Sequence, residues 1–285
     1  MGGERRTLIT AGELAKFLEA GGDTVLLDVR WALGDARGRE HYEAGHIPGA
    51  VFVDLETELS AAPSPEAGRH PLPDARNFAA SARSWGINTD SAVVLYDATG
   101  ALAAARGWWL LRHAGIGNVR VLDGGMDAWV AGGRELETGN TTAAPGNVRP
   151  GWGQMPVIDI EQAAAFPGHG ILLDSRAAER YRGEVEPVDP RAGHIPGALN
   201  RPTTWNLDAG KHQLEPAELA RAFGQLGVKP GAGAADVAAY CGSGVTAAHQ
   251  VLALEAIGVG AALFPGSWSQ WSADPARPAA TGATP

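Results

Sequence analysis

The sequence predicts an α/β protein of two tandem domains, each a parallel β-sheet flanked by helices. Motifs recur in the same order along the chain, and short apolar runs alternate with longer amphipathic stretches. Gly45-His46-Ile47-Pro48-Gly49-Ala50 returns unchanged as Gly193-His194-Ile195-Pro196-Gly197-Ala198, an offset of 148. Leu26-Leu27-Asp28-Val29-Arg30 is echoed by Leu172-Leu173-Asp174-Ser175-Arg176 at an offset of 146. Leu122-Asp123-Gly124-Gly125 with Trp129 is loosely matched by Phe264-Pro265-Gly266-Ser267 with Trp268 and Trp271.

In the first copy the amphipathic stretch Ala11–Ala20 reads as a helix and Thr24–Asp28 as a strand buried on both faces. Asp74–Trp85 is again helical, Ala92–Tyr96 a strand and Leu102–His113 a helix. Val119–Leu122 closes the set, with a turn or short helix after Gly125. The second copy repeats the pattern. Glu161–Phe166, Ala217–Leu226 and Val245–Ile257 are its helices, and Gly170–Asp174, Val237–Tyr240 and Gly260–Phe264 its strands. Residues 138–156 carry Thr, Gly, Asn and Pro without apolar periodicity and read as a linker. The domains are therefore placed at 7–137 and 157–274, with a small, proline-rich tail at 275–285 expected to be flexible.

Composition narrows the function. A length of 285 residues suits one large or two medium domains, and 45% hydrophobic with 19% charged residues is globular. The net charge of −9 argues against a nucleic-acid binder. One cysteine forms no intramolecular disulfide, so stability does not require an oxidising compartment. The N-terminal residues lack the apolar stretch of a secretory signal, and no run approaches the ~18 apolar residues of a membrane span. A cytoplasmic protein with no membrane or nucleic-acid partner is expected.

The lone thiol stands in Tyr240-Cys241-Gly242-Ser243-Gly244-Val245-Thr246-Ala247, between the strand Val237–Tyr240 and a helix. The first N–H groups and the dipole of that helix favour an anion, and a thiolate is one. Gly242 and Gly244 can both take positive φ, letting successive amides converge on the sulfur. The alternative is a small buried hydrophobe on a common strand-to-helix turn. The first copy carries Asp97 in the corresponding Tyr96-Asp97-Ala98-Thr99-Gly100, 144 residues earlier. A carboxylate cannot do thiol chemistry, so the first domain is expected to be catalytically inactive.

These motifs together resemble the tandem-domain rhodanese, or sulfurtransferase, family over nearly the whole chain. Tyr42 with His46–Ala50 resembles its first signature, and Phe264–Trp268 with Trp271 its C-terminal one. Cys-Gly-Ser-Gly-Val-Thr is similar to the loop of the 3-mercaptopyruvate sulfurtransferase branch, whereas thiosulfate-preferring members carry basic residues directly after the cysteine. The resemblance implies two rhodanese-like domains, and a Cys241 thiolate that takes sulfur from a small-molecule donor, releases pyruvate and becomes a persulfide. A thiol, thioredoxin or cyanide then accepts the sulfur. No metal or organic cofactor is implied. Gly242, Gly244, Val245 and Thr246 would line the donor, and Arg180 would hold its carboxylate, unless it pairs with an acid in Glu184–Asp189. The family's second arginine falls at position 189, which here is Asp, making Arg191 the nearest candidate. Ser243, His70 and Glu56 match a proposed Ser–His–acid relay, with Glu in place of the usual Asp. Otherwise Ser243 is a capping hydroxyl and His70 a solvated loop residue. His46 and His194, present in both copies, are expected to fix their own loops, as are the Asp28–Arg30 and Asp174–Arg176 pairs.

A phosphatase-like loop needs arginine six residues after the cysteine, where this chain has Ala247. Thiosulfate:cyanide sulfurtransferase is the near alternative, and a non-catalytic persulfide carrier or sensor the further one.

Overall fold

The computed structural model describes residues 7–285, which form two compact units. The first sheet contains five parallel strands, β1 (Leu8–Ile9), β2 (Thr24–Asp28), β3 (Val51–Phe52), β4 (Ala92–Tyr96) and β5 (Val119–Leu122), in the order β1-β5-β4-β2-β3. Six helices accompany it: α1 (Ala11–Glu19), α2 (Gly38–Ala44), α3 (Leu55–Glu58), α4 (Ala75–Ser84), α5 (Ala104–His113) and α6 (Gly125–Ala131). The second sheet has four parallel strands, β6 (Ile171–Asp174), β7 (Leu199–Asn200), β8 (Val237–Tyr240) and β9 (Ala262–Leu263), in the order β7-β6-β8-β9. Its helices are α7 (Ile160–Ala165), α8 (Ala178–Tyr181), α9 (Pro216–Gly224), α10 (Thr246–Glu255) and α11 (Ser267–Ala273), with two short 3-10 turns.

Continuous burial explains the apolar strands: every residue of β8 is buried, as are four of five in β2 and in β4. One core packs Leu26, Ile47, Val94 and Trp129 in the first unit, and another packs Leu172, Tyr240, Trp268 and Trp271 in the second. The shared motifs do the same job twice. The hydroxyl of Tyr96 accepts from the Ile47 N–H at 2.9 Å, and that of Tyr240 from Ile195 at 3.1 Å. Asp28–Arg30 and Asp174–Arg176 are buried ion pairs at 2.6 Å. His46 and His194 stack on Tyr42 and Tyr181, with Nδ1 bonded to the tyrosine carbonyls at 3.0 and 2.8 Å. Both histidines fix loops, as expected.

The units depart from the sequence halves in three places. Residues 138–154 contain no helix or strand, yet belong to the first unit, bonded through Gly146 N–H to Arg83 O (2.8 Å) and Gly151 N–H to Ala114 O (2.9 Å). Residues 61–72 belong to the second unit and 209–213 to the first. Each short segment covers the turn after the last strand of the unit it joins. Arg69 N–H reaches Ser269 Oγ (3.0 Å), and Gln213 N–H reaches Asp123 Oδ1 (2.8 Å). The tail, expected to be flexible, is tied down instead. Ala280 and His194 exchange two backbone hydrogen bonds, and Trp271 Nε1 donates to Pro278 O at 2.8 Å. No described helix is long and apolar enough to cross a membrane.

Candidate active site

Cys241 follows β8, an interior strand, so its thiol stands at the carboxyl end of the second sheet, where ligands of parallel sheets bind. The loop is sewn to the start of α11. Cys241 N–H donates to Ser267 Oγ (3.1 Å), whose hydroxyl donates on to Phe264 O (2.9 Å). Trp268 and Ser269 N–H groups donate to the Cys241 and Gly242 carbonyls at 3.0 and 2.8 Å. Ser267 has φ +54, a left-handed conformation that costs a non-glycine residue about 1–2 kcal/mol. The first unit meets the same requirement with Gly125 at φ +56, which has no hydroxyl to offer. Ser267 thus accepts strain and anchors the cysteine's own amide, a role the sequence reading missed.

Cys241 is 2% exposed, and its Sγ accepts from the Gly244 N–H at 3.1 Å. Gly244 makes that contact from φ +79. Gly242 lies outside the positive-φ region, so one glycine, not two, bends the chain around the sulfur. Val245 is buried at the N-terminus of α10 and Thr246, half-buried, opens that helix.

The first unit shows what such a loop can hold. The Asp97 carboxylate, fully buried, accepts four backbone N–H groups at 2.8–2.9 Å: Thr99 and Ala101 on one oxygen, Ala103 and Ala104 on the other. The strand-to-helix loop is an anion nest with a permanent occupant.

Ser243 and His70 come together, with Oγ and Nδ1 2.7 Å apart and both residues buried. Ser243 is therefore no helix cap, and His70 no solvated residue. Glu56 lies on α3 of the first unit, where Oε1 accepts from Trp31 Nε1 at 2.7 Å.

Arg180 satisfies both readings of it. Its guanidinium pairs with Glu186 (Nη2–Oε1 2.6 Å, Nε–Oε2 3.2 Å) and with Asp189 Oδ2 (3.1 Å), yet it also borders the cysteine loop. A methyl group placed on Gly242 would lie 3.5 Å from Arg180 Nη1. The same methyl would lie 3.2 Å from Nη2 of Arg69, a residue the sequence alone does not single out. Arg69 Nη1 forms an ion pair with Asp189 Oδ1. Burial pushes the Asp189 carboxyl above the usual carboxylate range, against the pull of Arg69.

Arg191 is corrected. Four of its N–H groups are taken by the Trp271, Ser272, Asp274 and Arg277 carbonyls at 2.6–3.1 Å, so it caps the C-terminal end of α11. The orphan carbonyls of a helix end draw a guanidinium, and four of the five N–H groups of this one are committed to backbone carbonyls at that end of the unit.

Comparison with known proteins agrees with this architecture. The chain is 46% identical over 282 residues to a Mycobacterium tuberculosis (H37Rv) protein, SseB, whose name provisionally assigns it thiosulfate sulfurtransferase activity; the match covers 97% of this chain and 98% of the relative. It is 45% identical over 281 residues to a Pseudomonas aeruginosa protein provisionally named a 3-mercaptopyruvate sulfurtransferase, covering 96% and 98%. The crystal structure of SseA from Escherichia coli, described as a 3-mercaptopyruvate sulfotransferase with the rhodanese fold, superposes with a TM-score of 0.79 at 33% identity, covering 93% of this chain and 99% of that one. The rhodanese-like domain matches twice, over residues 10–132 and 159–274, and the chain belongs to the rhodanese family.

Proposed function

We propose that the protein is a 3-mercaptopyruvate sulfurtransferase working through Cys241. The observation that carries this reading is the thiol's setting: Sγ on the Gly244 N–H, with Ser243 of the same loop paired to His70 of the segment 61–72. The Cys241 thiolate attacks the sulfur of 3-mercaptopyruvate and the carbon–sulfur bond breaks. Pyruvate leaves as its enolate, which takes a proton, and the enzyme keeps a cysteine persulfide. A hydroxyl backed by an imidazole is suited to hydrogen-bond the donor's ketone as charge moves onto its oxygen, which supports Ser243 and His70 in that role. An acceptor thiol, such as that of thioredoxin, or cyanide, then attacks the outer sulfur and restores the Cys241 thiolate. With no second cysteine in the chain, the acceptor is external. A thiol acceptor suits a reducing compartment, and we place the protein in the cytoplasm.

Thiosulfate is the second donor to weigh. The relative SseB and the two guanidiniums facing the loop, Arg69 and Arg180, favour it. The uncharged Gly242 and Ser243 directly after the cysteine favour mercaptopyruvate.

The test compares kcat/KM for 3-mercaptopyruvate, read as pyruvate release, with that for thiosulfate under cyanide, for the wild type and Cys241→Ser. The wild type is expected to prefer mercaptopyruvate, and the serine variant to fold but transfer no sulfur. Turnover retained by Cys241→Ser sinks the mechanism. A thiosulfate preference keeps the persulfide and overturns the donor. Turnover of neither leaves a carrier.

A further inference from the structure

Beside the cysteine loop the second unit carries a cluster of charges that the sulfur-transfer step does not use. Asp189 sits between two arginines, one carboxylate oxygen on Arg69 Nη1 and the other on Arg180 Nη2. Its side chain is 2% exposed, so water does little to screen it. Glu186 takes the remaining face of Arg180 and also reaches Arg176 Nη1 at 3.4 Å, while Arg176 is bonded to Asp174. Three arginines thus face three carboxylates, and the wall of the loop is close to neutral. The guanidinium ends of Arg69 and Arg180 nevertheless remain beside Gly242, within 3.2–3.7 Å of the position its Cβ would take. The arginines present N–H groups to a donor without presenting a net double charge.

We propose that Asp189 is a specificity-determining residue: by occupying the Arg69–Arg180 fork with an internal carboxylate, it sets the site to prefer a monoanionic sulfur donor over a dianionic one. The proposal rests on the reading of Cys241 as the sulfur acceptor. Coulomb energy scales with ligand charge. Removing one negative charge from this wall therefore multiplies a dianion's gain as the square of a monoanion's. If Asp189→Asn raises kcat/KM for mercaptopyruvate about threefold, thiosulfate gains about ninefold. The amide is nearly isosteric and keeps one acceptor oxygen for an arginine.

Kinetics of Asp189→Asn and Arg69→Gln with both donors test this. Asp189→Asn is expected to shift the thiosulfate-to-mercaptopyruvate ratio of kcat/KM upward about threefold or more. Arg69→Gln, which removes a partly exposed cation from the same fork, is expected to shift it downward. A second measurement does not depend on turnover. The rate at which iodoacetamide alkylates Cys241, followed by mass spectrometry, is slowed by anions that occupy the loop. Sulfate should protect Asp189→Asn more tightly than it protects the wild type, and pyruvate should show the smaller gain. If the wild type turns over neither donor, the function reading fails and the protection ratios still decide the role of Asp189. Ratios that stay unchanged in both variants, or that move the opposite way, overturn the proposal.

Discussion

Gly244→Ala tests the loop geometry at the point where it is most constrained. At φ +79 a residue with a Cβ loses about 1–2 kcal/mol. The added methyl would also lie 2.4 Å from the Pro265 carbonyl oxygen, a backbone atom that cannot swing aside. Ordinary contact begins near 3.4 Å, so the loop must shift by about 1 Å. That shift moves the N–H group that now reaches Sγ, and a misplacement of about 1 Å can cost about 100-fold in rate. The variant is expected to lose about 2 kcal/mol of stability and about 100-fold in kcat/KM, measured by thermal denaturation and donor turnover. Gly242→Ala is the control. Its methyl meets only the flexible ends of Arg69 and Arg180, at 3.2 Å and beyond, and the backbone there is not left-handed. It should raise KM for the donor and leave the melting temperature within about 2 °C. A Gly244→Ala enzyme with wild-type melting temperature and kcat/KM within about threefold of wild type would show that sulfur transfer does not depend on this turn.

Two further outcomes follow from buried polar groups. His249, inside the second unit with Nδ1 2.6 Å from Thr203 Oγ1, has its pKa pushed down to about 4 by burial. The unfolded chain protonates first as pH falls, so the stability this histidine contributes is complete above about 6.5 and lost on the way down to about 4. That loss amounts to about 3 kcal/mol. Urea unfolding across this range should show His249→Gln losing less stability than the wild type, and equal slopes would refute the assignment. Asp97→Asn places an amide NH2 against backbone donors that now share a carboxylate, and should cost about 3 kcal/mol in the first unit. An unchanged calorimetric profile would show that the nest tolerates a neutral occupant.

The parts of the fold legible in the sequence are those whose signal is local. The runs Thr24–Asp28, Ala92–Tyr96 and Val237–Tyr240 are buried at every position but the first residue of the first two, and match the observed strands residue for residue. The two-residue strands β1, β3 and β7 carry no periodicity and exist because a neighbour offers them a ladder, so the sequence does not announce them. Site residues divide the same way. Cys241 and Gly244 were readable from one loop. Ser243 and His70, 173 positions apart, were paired only through family resemblance, because nothing in either segment names the other. Arg69 and Asp189 are 120 positions apart, and their ion pair left no trace beyond two opposite charges. Arg191 was misplaced because sequence proximity to position 189 says nothing about the α11 carbonyls, 80 or more residues away, that claim it.

The two copies also explain each other. An aspartate oxygen stands one atom further from the backbone than a cysteine sulfur, and so does the outer sulfur of a persulfide. Asp97 Oδ1 and Oδ2 gather four N–H groups, whereas Cys241 Sγ, one atom shorter, accepts from Gly244. At the offset of 144, Ala101 and Ala103 correspond to Val245 and Ala247. The two loops differ in backbone as well: Ala101 stands at φ +69 where Val245 stands at φ −77, and the Ala248 N–H, counterpart of the Ala104 N–H on Asp97, donates to Val245 O. In the first copy the four-amide geometry is spent on a fixed carboxylate, which ties the strand-to-helix loop to the start of α5. On the function proposed above, the outer sulfur of a Cys241 persulfide would reach the depth at which Asp97 is held, so amides placed there would favour the intermediate over the resting thiol, as differential binding requires of a covalent catalyst.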